Sequence, residues 1–203
     1  MQFTIISGSH RRASQSAKVG RHIEKTLLRE GLCDEVFFID LSRFPFPLWD
    51  ESLWEDNPEW KVRTAPYRER LGAAEGLVVI SPEWHGMVPA GLKNFFLIFG
   101  RDELAHKPAL IVTVSSGAGG AYPVAELRMS SYKNSRLCYI PEQVIVRRVE
   151  RVLNEGGDND PESDPYYRRR IAYALRVLHE YAKALRAVRA GPAMDFSEFK
   201  NGM

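Results

Sequence analysis

The chain has 203 residues, of which 44% are hydrophobic and 27% are charged, and its formal net charge is +2. This composition is typical of a water-soluble globular protein. The small net charge argues against general attraction to nucleic acid. No apolar run approaches the roughly 20 residues of a membrane span. We therefore expect a single domain over 1–203, cytoplasmic and without a signal peptide, whose two cysteines, Cys33 and Cys138, are reduced thiols.

Apolar runs alternate with stretches of helical spacing along the chain. The runs predict five strands, at about 3–7, 36–41, 76–81, 109–114 and 139–146. The helical spacing predicts helices at about 16–30, 61–74, 90–99, 121–135 and 165–190. Alternation of this kind predicts a parallel sheet with helices on both faces and right-handed crossovers. The expected fold is a flavodoxin-like α/β three-layer sandwich with a five-stranded parallel sheet of order 2-1-3-4-5.

The loop between the first strand and the first helix, Ser9–Ser16, is rich in small, hydroxyl-bearing and basic residues. Such a loop can bind phosphate, because its backbone N–H groups point outward and the helix N-terminus carries partial positive charge. An ordinary loop capped by Ser14 or Ser16 fits the same pattern. The loop contains neither GxxxxGK[ST] nor GxGxxG, since His10 occupies the second glycine position of the latter.

Two further loops should lie beside it. Pro82–Pro89 follows the third strand and contains Trp84, and Ser115–Gly120 follows the fourth strand and contains three glycines. In the order 2-1-3-4-5 the first, third and fourth strands are adjacent, so their three loops converge beyond the carboxyl ends of the strands. The first loop suits a phosphate, the second offers an aromatic plane, and the third offers N–H groups to a flat heterocycle. FMN has a phosphate at one end and a planar ring at the other.

The combination of segments in these loops resembles the NADPH-dependent FMN reductase family, which includes bacterial quinone, azo and chromate reductases. The matching segments lie between Phe3 and about Val149: Gly8-Ser9-x-Arg11-x-x-Ser14, Pro82-Glu83-Trp84-His85-Gly86-x-x-Pro89, Leu92-Lys93-Asn94, and Ser115-Ser116-Gly117 with Gly120. The resemblance implies a non-covalent FMN, NADPH or NADH as co-substrate, and a small electron acceptor such as a quinone.

The resemblance also implies three groups of cofactor-binding residues. They are Ser9, Arg11, Ser14 and Ser16 at the phosphate, Pro82, Glu83, Trp84, His85 and Gly86 against the isoalloxazine ring, and Ser116 and Gly117 near its pyrimidine edge, with Gly120 in the same loop. Arg12 is the alternative to Arg11 at the phosphate. The chain departs from the family at Trp84-His85, where Tyr-Asn is common, and at Leu97-Ile98, where Asp-Trp is common. At the first departure, Trp84 still supplies an aromatic ring face and the backbone role of His85 is kept. The second departure concerns contacts with a partner rather than flavin binding.

We expect no catalytic residue, because a flavin carries the hydride chemistry itself. His10 and His85 are acid–base types, and for Glu83 we expect a turn or interface contact. No residue cluster has metal-ligand spacing, and no GxSxG elbow is present. The basic residues of the last helix predict a solvated face or, alternatively, a surface for an acidic partner: Arg168, Arg169, Arg170, Arg176, Lys183, Arg186 and Arg189.

The expected function is therefore that of a flavin-dependent oxidoreductase, in which hydride passes from reduced nicotinamide to FMN and on to a small acceptor. One alternative is a flavin-binding partner or electron carrier with little turnover of its own. A second alternative is a flavodoxin-like module that binds another phosphate ligand or none.

The helix after Pro89 predicts a homo-oligomer, either a dimer or a tetramer, as the resemblance also implies. Leu92, Phe95, Phe96 and Phe99 form one stripe that can cover the sheet, and Leu97 and Ile98 fall largely on other faces. A symmetric partner could cover those faces. The alternative cover is the chain's own connection from Ser42 to about Pro58, which contains Trp49 and Trp54 and precedes Trp60.

Overall fold

A computed structural model describes residues 1–202 and shows the predicted α/β sandwich. In these residues five parallel strands form one sheet in the order β2-β1-β3-β4-β5. The strands are β1 (Gln2–Ser7), β2 (Glu35–Asp40), β3 (Gly76–Pro82), β4 (Pro108–Val114) and β5 (Cys138–Val146). The helices are α1 (Gln15–Arg29), α2 (Pro58–Ala73), α3 (Ala90–Ile98), α4 (Arg101–Leu104), α5 (Ala121–Met129) and α6 (Ser163–Arg189), with short 3₁₀ helices at Glu51–Trp54 and Val149–Arg151.

The two central strands, β3 and β4, are buried along their whole length. A parallel strand covered by helices on both faces must be apolar at consecutive positions, and this explains why the sequence has continuous apolar runs here. Val78 and Ile80 pack on the side of α1 and α6. Leu77 and Val79 point to the opposite side, toward α2, α3 and α5. The sheet therefore separates two hydrophobic cores.

Helix α5 is shorter than the sequence predicts, because it ends at Met129 rather than near 135. The hydroxyls of Ser130 and Ser131 donate back to the carbonyls of Glu126 and Leu127, and Ser131 has a positive φ of 57°. Side-chain hydrogen bonds of this kind compete with continuation of a helix. The short helix α4 was not predicted from the sequence.

The long connection between β2 and α2 folds over α3 within the same chain. Asn94 of α3 is 4% exposed. Its side chain accepts the N–H of Trp49 at 2.8 Å and donates to the carbonyl of Pro47 at 2.7 Å. The ring of Phe46 packs edge-on against Phe99, with 5.3 Å between ring centroids. The chain's own connection, which was the alternative to a second subunit, therefore covers this flank of α3.

The expectation that both Leu97 and Ile98 face away from the core is wrong for Ile98. Its side chain is 3% exposed and belongs to the core between the sheet and α3. Ile98 is the last residue of α3, and the chain turns there into α4, which brings Leu104 into the same core. Leu97 remains 61% exposed. The apolar surface that α3 leaves uncovered is therefore smaller than its sequence suggests.

The basic residues of α6 are mostly engaged in ion pairs. All of those predicted to form a basic face, except Arg169, lie within ion-pair distance of a carboxylate: Arg168 of Asp164, Arg170 of Glu142, Arg176 of Glu30, Lys183 of Glu180, and Arg186 and Arg189 of Glu75. This pairing favours a solvated face over a surface for an acidic partner. No helix within residues 1–202 is long and apolar enough to cross a membrane.

Candidate functional site

The loops after β1, β3 and β4 lie side by side at the carboxyl edge of the sheet. The N–H of Gly8 donates to the carbonyl of Ile80 at 2.8 Å, which joins the ends of β1 and β3. The N–H of Glu83 donates to the carbonyl of Val114 at 2.9 Å, which joins the ends of β3 and β4. A Cβ at position 8 would lie 2.8 Å from the Ile80 carbonyl oxygen, so this junction requires glycine. The convergence that the strand order predicts is present.

The Ser9–Ser16 loop presents unpaired hydrogen-bond donors. Ser14 caps α1, because its Oγ accepts the N–H of Ala17 at 3.0 Å. Within residues 1–202, the backbone N–H groups of residues 12–16 donate to no protein acceptor. The hydroxyls of Ser7 and Ser16 are buried and also lack a partner in that part of the chain. Buried polar groups normally have partners, so these donors, which lie at the end of β1 and at the N-terminus of α1, fit a bound anion such as the phosphate of FMN.

The loop after β3 is a tight turn that contacts the first loop. Trp84 and Met87 exchange two backbone hydrogen bonds, at 3.2 and 2.9 Å. His85 and Gly86 between them have φ values of 51° and 73°, which is typical of a type I′ turn. The ring of His10 packs edge-on against Trp84, with 4.8 Å between centroids. The side chain of His10 is thus placed against the indole, and the side chain of His85 is exposed.

Glu83 joins the second loop to the third. Its carboxylate accepts the N–H of Gly120 at 2.6 Å. Gly120 has a φ of 104°, and a Cβ there would lie 2.5 Å from the side chain of Ile145, so a larger residue would not fit. Thr113 donates its hydroxyl to the carbonyl of Gly120 at 2.6 Å. The contact of Glu83 is therefore structural, as its sequence context suggested.

The loop after β4 is held by two arginines that sequence reasoning did not single out. Arg147 donates its Nε–H to the carbonyls of Ala118 and Gly119, at 2.7 and 3.0 Å. The backbone N–H of Arg148 donates to the carbonyl of Gly117 at 3.0 Å. Both arginines directly follow β5, so their position at the carboxyl edge of the sheet was the available signal. Their contacts fix the backbone of this loop.

The predicted site residues lie on these three loops or at their ends, where Ser16 is in the first turn of α1 and Pro82 is the last residue of β3, and their exposure differs. Four are buried: Ser9, Ser16, Pro82 and Gly120. Four are partly buried: Ser14, Glu83, Trp84 and Gly86. Four are exposed: Arg11, His85, Ser116 and Gly117. Tyr122 is an additional neighbour, because a Cβ on Gly86 would lie 3.9 Å from its ring. Residues 1–202 contain no group of three or more side chains placed to bind a metal ion.

A model of the family described as NADPH-dependent FMN reductase matches residues 1–150. The chain belongs to this family. An NADPH azoreductase from Bacillus sp. (strain OY1-2) is 25% identical over 187 residues, which cover 92% of each protein. A quinone reductase from Escherichia coli (strain K12) is 29% identical over 129 residues, which cover 60% of this chain and 64% of that protein. The predicted dependence on FMN and NAD(P)H is confirmed by the family.

Solved structures show the same fold. FerB, a flavoenzyme NAD(P)H:(acceptor) oxidoreductase from Paracoccus denitrificans, superposes with a TM-score of 0.68 at 20% identity, over 90% of this chain and 97% of that one. An oxidoreductase from Corynebacterium diphtheriae gives a TM-score of 0.64 at 18% identity with the same coverage. This member of the FMN reductase family is therefore an oxidoreductase with a flavodoxin-like fold.

Proposed function

We propose that this family member binds one FMN across its three loops and transfers electrons from NAD(P)H to a small acceptor of the quinone class. The observation that supports the proposal most strongly is the row of free backbone N–H groups at residues 12–16, beside the buried, unpartnered hydroxyls of Ser7 and Ser16. The quinone and azo names of the relatives support the acceptor class.

The phosphate of FMN would be held by the Ser9–Ser16 loop. A hydroxyl both donates and accepts, so Ser14 can cap α1 through its oxygen and still donate its proton to a phosphate. Ser9 and Ser16 add hydroxyls, and Arg11 adds a guanidinium without a protein acceptor within residues 1–202. The positive end of α1 favours the same anion.

The isoalloxazine ring would lie against the Pro82–Gly86 segment and the Ser116–Gly117 segment. Bound FMN supplies the hydride chemistry. The protein contributes backbone dipoles that are fixed in advance, because Arg147 and Arg148 hold the loop after β4 and Glu83 holds Gly120. Because these dipoles need no rearrangement, they would stabilise negative charge on the isoalloxazine ring efficiently. Glu83 is occupied by this contact, so we assign it no acid–base role.

Turnover separates this function from that of a flavin-binding partner or electron carrier. The FMN-loaded protein should oxidise NADPH or NADH continuously when a benzoquinone is added, as measured by loss of nicotinamide absorbance. Protein that binds FMN but does not consume NAD(P)H would support the carrier and contradict an enzyme of this type.

We also propose that the protein is a homo-oligomer, at least a dimer, that associates near α3. A groove of about 440 Å³ between α3 and α5 is lined partly by Phe96, Leu97 and Leu127. Leu97 is 61% exposed, and Met129 at the end of α5 is 79% exposed. A second copy would remove this apolar surface from water.

Leu97→Asp should convert the oligomer to monomers, because a buried charge without a partner opposes association. Val62→Asp, on the 79% exposed Val62 of α2, is the matched control and should leave the mass unchanged. Light scattering at micromolar concentration provides the measurement. A wild-type mass of one chain, with or without FMN, would contradict self-association.

A further inference from the structure

A groove of about 630 Å³ runs along the outer face of α1 and begins at the Ser9–Ser16 loop, from which Arg12 and Ser14 contribute to its wall. In the described part of the chain, seven Lys and Arg side chains line this groove, against two carboxylates, Asp40 and Glu155. The whole chain has a net charge of only +2. Positive charge is therefore concentrated at this groove.

Several of these cations are poorly neutralised by the protein. Arg21 lies 3.7 Å from Glu24, and Arg43 lies 3.8 Å from Asp40, which is long for an ion pair. Within residues 1–202, Arg12 has no carboxylate within ion-pair distance. Two groove cations do have close partners, Lys25 with Glu155 and Arg168 with Asp164. The remaining positive charge is available to a ligand.

The protein fixes one of the groove's cations and keeps its histidine neutral. Lys18 donates its ammonium to the carbonyls of Val149 and Val152 and to the side chain of Asn154, at 2.6, 2.9 and 2.7 Å. His22 also lines the groove, and burial together with the charge of Arg168 lowers its pKa to about 4. The imidazole is thus neutral near pH 7, so the positive charge of the groove comes from its Lys and Arg side chains alone.

The groove begins at the loop that would hold the flavin phosphate and its cations extend beyond that loop, so it suits a ligand that carries several phosphates and reaches the flavin site. The phosphate of FMN would use the Ser9–Ser16 loop and leave Arg21 and Arg43, farther along the groove, without an anion. NADPH carries a pyrophosphate and a 2′-phosphate on its adenosine, and its nicotinamide must reach the flavin. Guanidinium groups bind phosphate oxygens in a two-pronged geometry, which suits arginine at such a site.

We propose that this groove binds the phosphorylated adenosine of NADPH, with the 2′-phosphate on the cations around Arg21 and Arg43, and that it makes the enzyme prefer NADPH to NADH. The inference rests on the proposed function, because it assumes that the nicotinamide reacts at the flavin. The adenosine of FAD is the other source of the same chemistry, but it adds less negative charge beyond the flavin phosphate.

The test uses the FMN-loaded protein and the variants Arg21→Ala, Arg43→Ala and their combination. Each single change should raise the KM for NADPH about tenfold, the effect of losing one charge-assisted hydrogen bond. The KM for NADH and both kcat values should stay close to those of the wild type. Arg63→Ala, on an exposed arginine of α2 outside the groove, is the matched control. Inhibition by 2′,5′-ADP should weaken in the double variant, whereas inhibition by 5′-AMP should change little.

Four results would overturn the proposal: a wild-type protein without NADPH preference, an unchanged KM for NADPH in the double variant, an equal rise for NADPH and NADH, or a selective loss of FAD affinity. The last result would assign the groove to the adenosine of FAD. Flavin content keeps this test separate from the proposed function. Wild-type protein that binds no FMN would refute that function, whereas FMN-loaded variants with unaltered NADPH kinetics would refute only the groove.

Discussion

Arg11→Ala is expected to weaken FMN binding about tenfold or more and to leave riboflavin binding nearly unchanged. Riboflavin has the same ring system without the phosphate, so the pair of ligands isolates the phosphate contact. A hydrogen bond to a charged group contributes roughly 1.5–3 kcal/mol, and about 1.4 kcal/mol corresponds to a tenfold change in affinity. Arg11 is exposed on the loop whose free N–H groups would face the phosphate.

Quenching of flavin fluorescence by the purified protein measures both affinities. Arg12→Ala is the informative companion variant, because Arg12 lines the cationic groove along α1, whereas Arg11 does not. We expect the selective loss of FMN affinity for Arg11→Ala and not for Arg12→Ala. The opposite result would transfer the phosphate contact to Arg12. An equal loss of FMN and riboflavin affinity would show that Arg11 acts on the ring or on the fold.

Phe95→Ala is expected to lower the free energy of unfolding by about 3–5 kcal/mol, the usual cost of removing a buried aromatic side chain. Phe95 is fully buried, and its ring lies 4.8 Å from that of Phe99 and 5.4 Å from that of Phe96. The same cluster receives Phe46 from the long connection, with 6.5 Å between the Phe46 and Phe95 centroids. The cavity would therefore loosen both α3 and the connection that covers it.

Urea unfolding followed by circular dichroism gives the change in stability. Phe44→Ala is the matched control, because Phe44 is 63% exposed in the same connection, and its loss should cost no more than about 0.5 kcal/mol. Similar losses for the two variants would contradict the cluster around Phe95 as the anchor of the connection.

The architecture was predictable because its signals are local. The continuous apolar runs at Leu77–Ile80 and Ala109–Val112 identify buried parallel strands without knowledge of any tertiary contact. Strand alternation then gives the sheet order, and the sheet order brings the three loops together. The structural contact of Glu83 with Gly120 also follows from this order, since the loops after β3 and β4 are neighbours.

The parts that sequence reasoning missed depend on contacts between distant segments. Helical periodicity places Ile98 on a face of α3, but it does not show that the helix ends there and turns the side chain into the core. The hydrogen bond between Trp49 and Asn94 joins residues 45 positions apart, and no local sequence pattern indicates it. The cationic groove combines Arg12, Arg21 and Arg43 from a loop, a helix and the segment after β2. Only the fold brings these charges together.

The flavin content of the purified protein tests the central claim most directly. The three loops predict one non-covalently bound FMN per chain, so denaturation should release a yellow chromophore in a one-to-one ratio to protein. Protein that is colourless as purified should quench the fluorescence of added FMN and reach the same ratio. A colourless protein that fails to quench added FMN would contradict the site described for residues 9–16, 82–86 and 115–120.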